Sequence, residues 1–330
     1  MGSLLSIENL VVEFRMHDRV VQAVNGISYS VSEGEIVAIV GESGSGKSVS
    51  ARAILGLVPQ PPGKIVSGSI IFDGTDLLGL DNRAIRDLRG KDISMVFQEP
   101  MTSLNPVHSI GFQLTEAMRL HLGLSKADAR ARAVDLLRMV GISEPARRLG
   151  QYPHQLSGGM RQRVMIAMAL SCKPKLILAD EPTTALDVTI QAQVLELMQE
   201  LCREMGVALV IITHNLSIVA RYAQRVNVMY AGRIVESGSA SALYGKPSHP
   251  YTIGLLKSVP RLDQPRGTPI VPIPGNPPDL DELGPGCAFA PRCRFAVEKC
   301  RKEQPPFTEV GAGHKSACWQ ITELREEQAA

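Results

Sequence analysis

Residues 36–48 read Ile-Val-Ala-Ile-Val-Gly-Glu-Ser-Gly-Ser-Gly-Lys-Ser. The first five form a continuous apolar run, which predicts a strand buried on both faces of a sheet. From Gly41 to Ser48 the spacing is that of a phosphate-binding loop, and the run from Val49 to Leu57 has helical character. A buried strand, a glycine-rich loop and a helix in this order predict a site for a nucleoside triphosphate.

The residue types in this loop suit the binding of phosphate. Glycines let backbone N–H groups curl around phosphate oxygens in conformations that penalise other residues, and the N-terminus of the following helix favours an anion. Lys47 can reach the terminal phosphates, and the hydroxyl of Ser48 can bind Mg²⁺. We expect the whole loop to contact the nucleotide: Gly41, Glu42, Ser43, Gly44, Ser45, Gly46, Lys47 and Ser48.

A second strand end carries two acidic residues. The apolar run Leu176–Ala179 is followed directly by Asp180 and Glu181. An aspartate at the carboxyl end of a buried strand can hold the metal ion of a nucleotide complex. Glu181 is placed to polarise an attacking water as a general base. The sequence therefore predicts hydrolysis of the nucleotide as well as its binding.

The rest of the chain indicates an α/β fold. Another buried strand is predicted at Ala208–Ile212, with a helix before it at Val188–Met205. Two partly alternating strands precede the loop, at Ile7–Phe14 and Val20–Val31. Strands that alternate with helices predict a parallel sheet covered on both faces.

Two other regions differ in composition from this core. The stretch from about 104 to 170 has no strand signal, and its helical periodicity predicts an all-helical insertion. From Pro247 onward, proline and glycine pairs mark loops. We therefore expect a domain boundary near Gly245, with one domain at 1–245 and a tail at 246–330.

Bulk composition excludes some functions. The chain has 330 residues, of which 44% are hydrophobic and 21% charged, and its formal net charge is +2. No clustered basic excess points to nucleic acid. The longest apolar stretches, such as Val207–Ile212, fall far short of the roughly 20 residues that a bilayer requires, so we expect no membrane span.

Four of the six cysteines lie in the tail, in the pattern C-x₅-C-x₆-C-x₁₇-C. In a reducing cytosol such a cluster favours a metal over disulfides. The close C-x₂₋₄-C pairs of zinc sites are missing, and four thiolates can also hold a 4Fe–4S cluster. Spacing alone leaves iron–sulfur, zinc and no metal open. The residues concerned are Cys287, Cys293, Cys300 and Cys318.

The segment Leu156-Ser-Gly-Gly-Met160 resembles the signature motif of ABC proteins, and other elements of that family follow in the same order. Gln98 matches the Q-loop glutamine, Ala185-Leu-Asp187 resembles the D-loop, and His214 matches the switch histidine. The resemblance covers Leu5 to about Leu243. It implies an α/β P-loop NTPase fold, the ABC nucleotide-binding domain, with a RecA-like core, an antiparallel β subdomain, a helical subdomain at about 104–170 and a small Cys-rich C-terminal extension.

The resemblance also implies roles for individual residues. Two subunits sandwich ATP, so that Ser157, Gly158 and Gly159 of one face the γ-phosphate bound by the other. The D-loop with Asp187 lies at their interface. Phe14 is the candidate for stacking on adenine. The catalytic residues implied are Glu181, His214 and Gln98, and the Mg²⁺ ligands are Ser48, Gln98 and Asp180.

Further motifs are similar to the ATP-binding subunits of oligopeptide and dipeptide importers (the DppD/OppD type). They lie at His249–Thr252, Leu255–Pro260, Glu99–Pro106 and Tyr152–Gln155. This likeness implies a structural 4Fe–4S cluster on the four tail cysteines, with zinc as the alternative. It implies peptide import at the cytoplasmic face of a bacterial inner membrane, to which the chain binds peripherally.

The partners implied are a second, related but non-identical ATPase, two transmembrane permease subunits and an extracytoplasmic solute-binding protein, with no nucleic acid. The alternative is a soluble ABC ATPase that acts on nucleic acid or ribosomes. Its DNA-repair form needs a long coiled coil, and its ribosomal form usually has two cassettes in one chain. The sequence shows neither feature.

Overall fold

The computed structural model describes residues 2–16, 18–183, 187–219, 221–258 and 271–329. The chain forms two compact units. The first consists of Met1–Leu4, Val31–Ile36 and Asp76–Ile212, and the second of Leu5–Ser30, Val37–Thr75 and Thr213–Ala330.

The strands of both units are numbered in chain order. They are β1 Ser3–Met16, β2 Arg19–Ser32, β3 Ile36–Val40, β4 Gly63–Phe72, β5 Thr75–Asp76, β6 Ile93–Val96, β7 Leu176–Asp180, β8 Ala208–Thr213, β9 Arg225–Tyr230, β10 Arg233–Ser239, β11 Thr308–Gly311 and β12 His314–Ser316. The helices are α1 Lys47–Ile54, α2 Asn82–Leu88, α3 Pro100–Ser103, α4 Ile110–Leu122, α5 Lys126–Met139, α6 Pro145–Arg148, α7 Gly158–Leu170, α8 Val188–Met205, α9 Leu216–Val219, α10 Ala240–Gly245, α11 Pro250–Lys257, α12 Glu298–Lys302 and α13 Ile321–Ala329.

The first unit is built on three parallel strands. β6 pairs with β7, and β7 pairs with β8. All five residues of β7 are buried, as are the first five of β8, because apolar side chains point to both faces of the sheet. Between β6 and β7 the described elements are all helical, and α7 packs against α4, α5 and β6. The predictions of buried strands at 176 and 208 are confirmed, whereas the helical subdomain with bounds at about 104–170 stays a prediction.

The second unit contains two sheets. A four-stranded sheet has the order β2-β1-β4-β5, in which β1 and β4 are antiparallel. The other sheet of this unit has the order β11-β12-β10-β9-β3. β3, the strand that leads into the phosphate loop, is parallel to β9, while β9, β10, β12 and β11 pair antiparallel. Strands from the tail thus extend the sheet that carries the loop.

These observations confirm the α/β class with mixed sheets. The domain boundary near Gly245 stays a prediction. Among the described residues, no helix combines the length and the apolar character needed to cross a membrane.

Candidate functional site

The phosphate loop of the second unit owes its shape to two glycines that touch backbone. A Cβ at Gly41 would lie 2.1 Å from the carbonyl oxygen of Met229. A Cβ at Gly46 would lie 2.1 Å from the carbonyl oxygen of Ala23, and the φ of Gly46 is +97°. Since backbone cannot move aside as a flexible side chain can, both positions require glycine.

Lys47 forms hydrogen bonds to other residues of this loop. Its side chain is 4% exposed, and its ammonium donates to the carbonyl oxygens of Gly41 and Glu42 at 2.8 Å each and to Ser45 Oγ at 3.3 Å. Helix α1 begins at Lys47 with Gly46 as its N-cap, so no capping side chain occupies the helix N-terminus. A cation and a helix N-terminus at one loop are two features that favour the binding of phosphate.

A cavity of about 280 Å³ lies beside the loop in the same unit. Arg19 and Asp281 form an ion pair of 2.9 Å at its wall. Nothing in the sequence marks these residues, since they belong to no motif. The cavity is lined by Arg19, Val21, Glu42, Ser43, Gly44, Ser45, Tyr230, Ala231, Pro277, Pro278, Asp279, Leu280 and Asp281.

Phe14, the predicted adenine-stacking residue, is not among the residues that line this cavity. It pairs with Gly63 across β1 and β4, and its ring edge lies 3.0 Å from the position of a Cβ on that glycine. The role of Phe14 stays a prediction.

In the first unit the structure brings Gln98 and Glu181 together. The side-chain amide of Gln98 donates to the carboxylate of Glu181 at 2.8 Å. Glu181 has a φ of 46°, which is unusual for a residue other than glycine, and its N–H donates to the carbonyl of Ile212 at 2.8 Å. Asp180, at the end of β7, is 2% exposed. Unfavourable backbone conformations are concentrated at functional sites, where the surrounding structure holds them in place.

The signature segment lies at the start of α7. Ser157 is the N-cap, and its hydroxyl accepts from the N–H of Met160 at 3.3 Å. Ser157 and Gly158 are exposed. An exposed helix start with glycines in its first turn can approach an anion closely.

Two further family positions are described only in part. Asp187 is the N-cap of α8, where its carboxylate accepts from the N–H of Ile190 at 3.0 Å. Ala185 and Leu186 of the same motif lie outside the described residues. In the second unit, His214 is exposed and directly follows β8.

The expectation of an iron–sulfur cluster or zinc on the tail cysteines is wrong. Within the described ranges, no group of three or more His, Cys, Asp or Glu side chains is arranged to hold a metal ion. The cysteines at 287, 293, 300 and 318 do line one cavity, but its volume is about 20 Å³. Such a space holds about one water, not a cluster.

Three of the tail thiols lie in partly buried surroundings. Burial raises the pKa of Cys293 to about 11 and that of Cys318 to about 12, and it also raises the pKa of Cys287. Sequence spacing could not reveal this, because it carries no information about burial.

Comparison with known proteins identifies the family. A family model described as ABC transporter matches residues 24–184, and one described as oligopeptide/dipeptide transporter, C-terminal region, matches residues 235–300. A putative peptide import ATP-binding protein of Brucella abortus (strain 2308) is 54% identical over 329 residues, which cover 96% of this chain and 97% of the relative. The dipeptide transport ATP-binding protein DppD of Bacillus subtilis (strain 168) is 50% identical, with 100% and 98% covered.

A solved structure agrees with these sequence matches. It is a dimeric ATP-binding cassette in a post-hydrolysis state bound to ADP and Pi. The likeness has a TM-score of 0.65 at 29% identity and covers 72% of this chain and 98% of the cassette. The chain belongs to the ABC transporter family, with the ATPase fold of its nucleotide-binding domains and the C-terminal region of its oligopeptide/dipeptide branch.

Proposed function

We propose that the chain is the ATP-hydrolysing subunit of an ABC importer for peptides. The observation that carries this proposal is the phosphate loop, in which a buried lysine and an uncapped helix N-terminus serve one anion. Relatives of nearly the same length, 54% and 50% identical, are named for peptide import and dipeptide transport. Neither the family matches nor the net charge of +2 favours the alternative of nucleic acid or ribosomes.

The residues fit ATP with Mg²⁺. The loop amides from Gly41 to Ser48 and the ammonium of Lys47 would hold the phosphates. Ser48, Gln98 and Asp180 offer hydroxyl, amide and carboxylate oxygens, the donors that Mg²⁺ prefers. When bound, Mg²⁺ neutralises charge on the β- and γ-phosphates.

Hydrolysis then depends on a positioned base. The carboxylate of Glu181 would take the proton of the attacking water, while Gln98 holds that carboxylate in place through its hydrogen bond of 2.8 Å. His214 would contact the γ-phosphate from the end of β8.

A second subunit completes the site in this proposal. The segment Ser157–Gly159, of which Ser157 and Gly158 are exposed, would face the γ-phosphate bound by a related, non-identical ATPase. Asp187 would lie at the interface. Charge stabilisation is then assembled only when the two subunits close around ATP. The dimeric state of the solved cassette supports such pairing.

The assembly at the membrane is part of the same proposal. Two transmembrane permease subunits would bind the helical stretch and α3 just before it. Met101 of α3 is 52% exposed, and Val107 and Phe112 of the stretch are 73% and 47% exposed. Exposed apolar side chains of this kind are typical of interaction sites. An extracytoplasmic solute-binding protein would deliver the peptide, and the chain would lie at the cytoplasmic face of the inner membrane. Residues 246–330 would form an extension typical of the oligopeptide/dipeptide branch.

Reconstitution with the permease subunits, the second ATPase and the solute-binding protein tests the function. ATP-dependent uptake of a labelled dipeptide into vesicles is expected with the wild-type chain. With Lys47→Ala, ATP binding should fall roughly tenfold or more, because the loop loses its buried cation. Unchanged ATP affinity in that variant would rule out the proposed site, and ATP hydrolysis without any peptide uptake would rule out the proposed substrate class.

A further inference from the structure

Glu42, the second residue of the phosphate loop, is joined to an arginine of the tail 250 residues away. Arg292 forms two parallel hydrogen bonds with its carboxylate, of 2.7 Å and 3.1 Å. The side chain of Arg292 is 5% exposed and that of Glu42 is 26% exposed. A bidentate pair of a guanidinium and a carboxylate fixes orientation as well as distance.

Arg292 is itself held rigidly. Its Nε donates to the carbonyl of Pro274 at 2.9 Å, and one terminal nitrogen also donates to the hydroxyl of Tyr230 at 3.3 Å. Its guanidinium lies 5.9 Å from the ring centroids of Tyr230 and Phe289. Burial acts to lower the pKa of Arg292, but the bonds to Glu42 and Tyr230 raise it overall. The carboxylate therefore meets a fixed cation rather than a mobile one.

A second tail residue contacts the same loop position. The hydroxyl of Tyr251, in α11, accepts a hydrogen bond from the backbone N–H of Glu42 at 2.7 Å. Tyr251 is wholly buried and packs against Tyr230, with ring centroids 4.5 Å apart. The tail thus binds both the side chain and the backbone of Glu42.

The third polar group of Glu42, its backbone carbonyl, contacts a residue of the proposed nucleotide site. Its carbonyl oxygen accepts from the ammonium of Lys47 at 2.8 Å. Any shift of Glu42 therefore moves an anchor of the lysine that serves the phosphates.

We propose that Arg292 and Tyr251 are positioning residues for nucleotide binding, through which the tail sets the shape of the phosphate loop by holding Glu42. This inference rests on the proposed function, since only a nucleotide-binding loop has an affinity to set. Neither tail residue touches the reacting atoms. Their removal should therefore change affinity for the nucleotide and leave the chemical step unchanged.

The test compares variants of the full-length chain by binding of a fluorescent ATP analogue. The KM and kcat of ATP hydrolysis are measured on each variant assembled with the second ATPase and the permease subunits. Arg292→Met and Glu42→Gln should each weaken binding about tenfold, and the double variant about as much as either one, because coupled residues are not additive. Arg292→Lys keeps the charge but not the bidentate geometry, so an intermediate loss is expected. In the two Arg292 single variants, kcat at saturating ATP should stay within about twofold.

Lys302→Met is the matched control. Lys302 belongs to the same tail and pairs with Glu298 at 3.1 Å, but both side chains are about 70% exposed (69% and 72%). Its ATP affinity should equal that of the wild type. Tyr251→Phe removes a single oxygen and should weaken binding severalfold, so it decides the matter if Arg292→Met fails to fold.

Three outcomes would overturn the inference. Unchanged ATP affinity in Arg292→Met or Tyr251→Phe, with only a lower melting temperature, would show that the contact stabilises the fold and does not set affinity. Additive losses in the double variant would show that the two residues do not act through each other. Loss of affinity in Lys47→Ala without loss in the Arg292 series would reject this inference alone, whereas unchanged affinity in Lys47→Ala would reject the proposed function.

Discussion

The side chains of Gln98 and Glu181 are joined by a hydrogen bond of 2.8 Å across 83 residues of sequence. The glutamate also has the left-handed backbone conformation, with a φ of 46°, which costs of order 1–3 kcal/mol for a residue with a side chain. The fold therefore holds this carboxylate in one place, as a general base requires.

Replacing the carboxylate should separate binding from hydrolysis. In Glu181→Gln we expect unchanged ATP affinity and a turnover lower by about 10²- to 10⁴-fold, because an amide cannot accept the proton of water. Single-turnover hydrolysis measured beside equilibrium binding checks this. Glu200→Gln, which changes an exposed glutamate on α8, should behave as the wild type. Hydrolysis at the normal rate in Glu181→Gln would remove this residue as the base.

A methyl group at Gly46 should damage the phosphate loop. Its Cβ would lie 2.1 Å from the carbonyl oxygen of Ala23, and the φ of +97° disfavours any side chain. We expect Gly46→Ala to lower ATP affinity by roughly tenfold or more, since the strain costs at least 1–3 kcal/mol. Calorimetric titration with ATP gives the measurement.

Gly245→Ala is the control for this experiment. Nothing lies within 4 Å of a Cβ at that position, and its φ is not in the positive range. Affinity equal to that of the wild type is expected there. If Gly46→Ala bound ATP equally well, the close approach of Ala23 would have no functional meaning.

His249 should make the folded chain less stable as the pH falls. This residue is 1% exposed, and burial lowers its pKa from 6.5 to about 3 despite a hydrogen bond to the backbone of Ala317. As the pH falls below 6.5, the unfolded chain binds a proton that the folded chain excludes, so folding loses free energy. Between pH 7.5 and 5.5 the loss from this residue is about 1.4 kcal/mol.

His249→Asn isolates that contribution. The ring of His249 accepts from the N–H of Tyr251 at 3.1 Å and caps α11, and asparagine is also a good N-cap but does not titrate. Urea unfolding at both pH values should show a smaller pH dependence in the variant than in the wild type. Equal dependence in the two proteins would show that His249 is not the cause.

A charge in the helical stretch should weaken assembly with the permease. Val107 is 73% exposed, and a carboxylate there would have to be desolvated in an apolar interface. We expect Val107→Asp to lower co-purification with the membrane subunits severalfold while ATP affinity stays unchanged. Val66→Asp, at an exposed apolar position of β4 (45%), should assemble normally. Equal recovery of both variants would place the docking surface elsewhere.

Sequence patterns predict the buried strands well and the polar ones poorly. β3, β7 and β8 are nearly continuous apolar runs because both faces of each strand are covered. β9 has no such signal, since Asn227, 2% exposed, interrupts its apolar residues and accepts from Ser237 of β10. Glu236 of β10 is fully buried and bonded to His314. Single buried polar residues of this kind interrupt the apolar pattern from which a strand is predicted.

The candidate site was predictable only where it is local in sequence. The spacing of the phosphate loop specifies its glycines and Lys47, because those residues act within one turn. The contacts of Arg292 and Tyr251 with Glu42 span 250 and 209 residues, and no local pattern encodes such a distance. The prediction of a metal site on the tail cysteines was wrong for the same reason, since their spacing says nothing about the volume that they enclose.

The exposed N-cap of α7 has a consequence for a copy of this chain that has not yet been assembled. Ser157 and Gly158 face water. Under the proposed pairing, a solitary copy presents them to no phosphate, and the turnover of each molecule should fall on dilution. Newly synthesised copies would then hydrolyse little ATP until a second subunit binds.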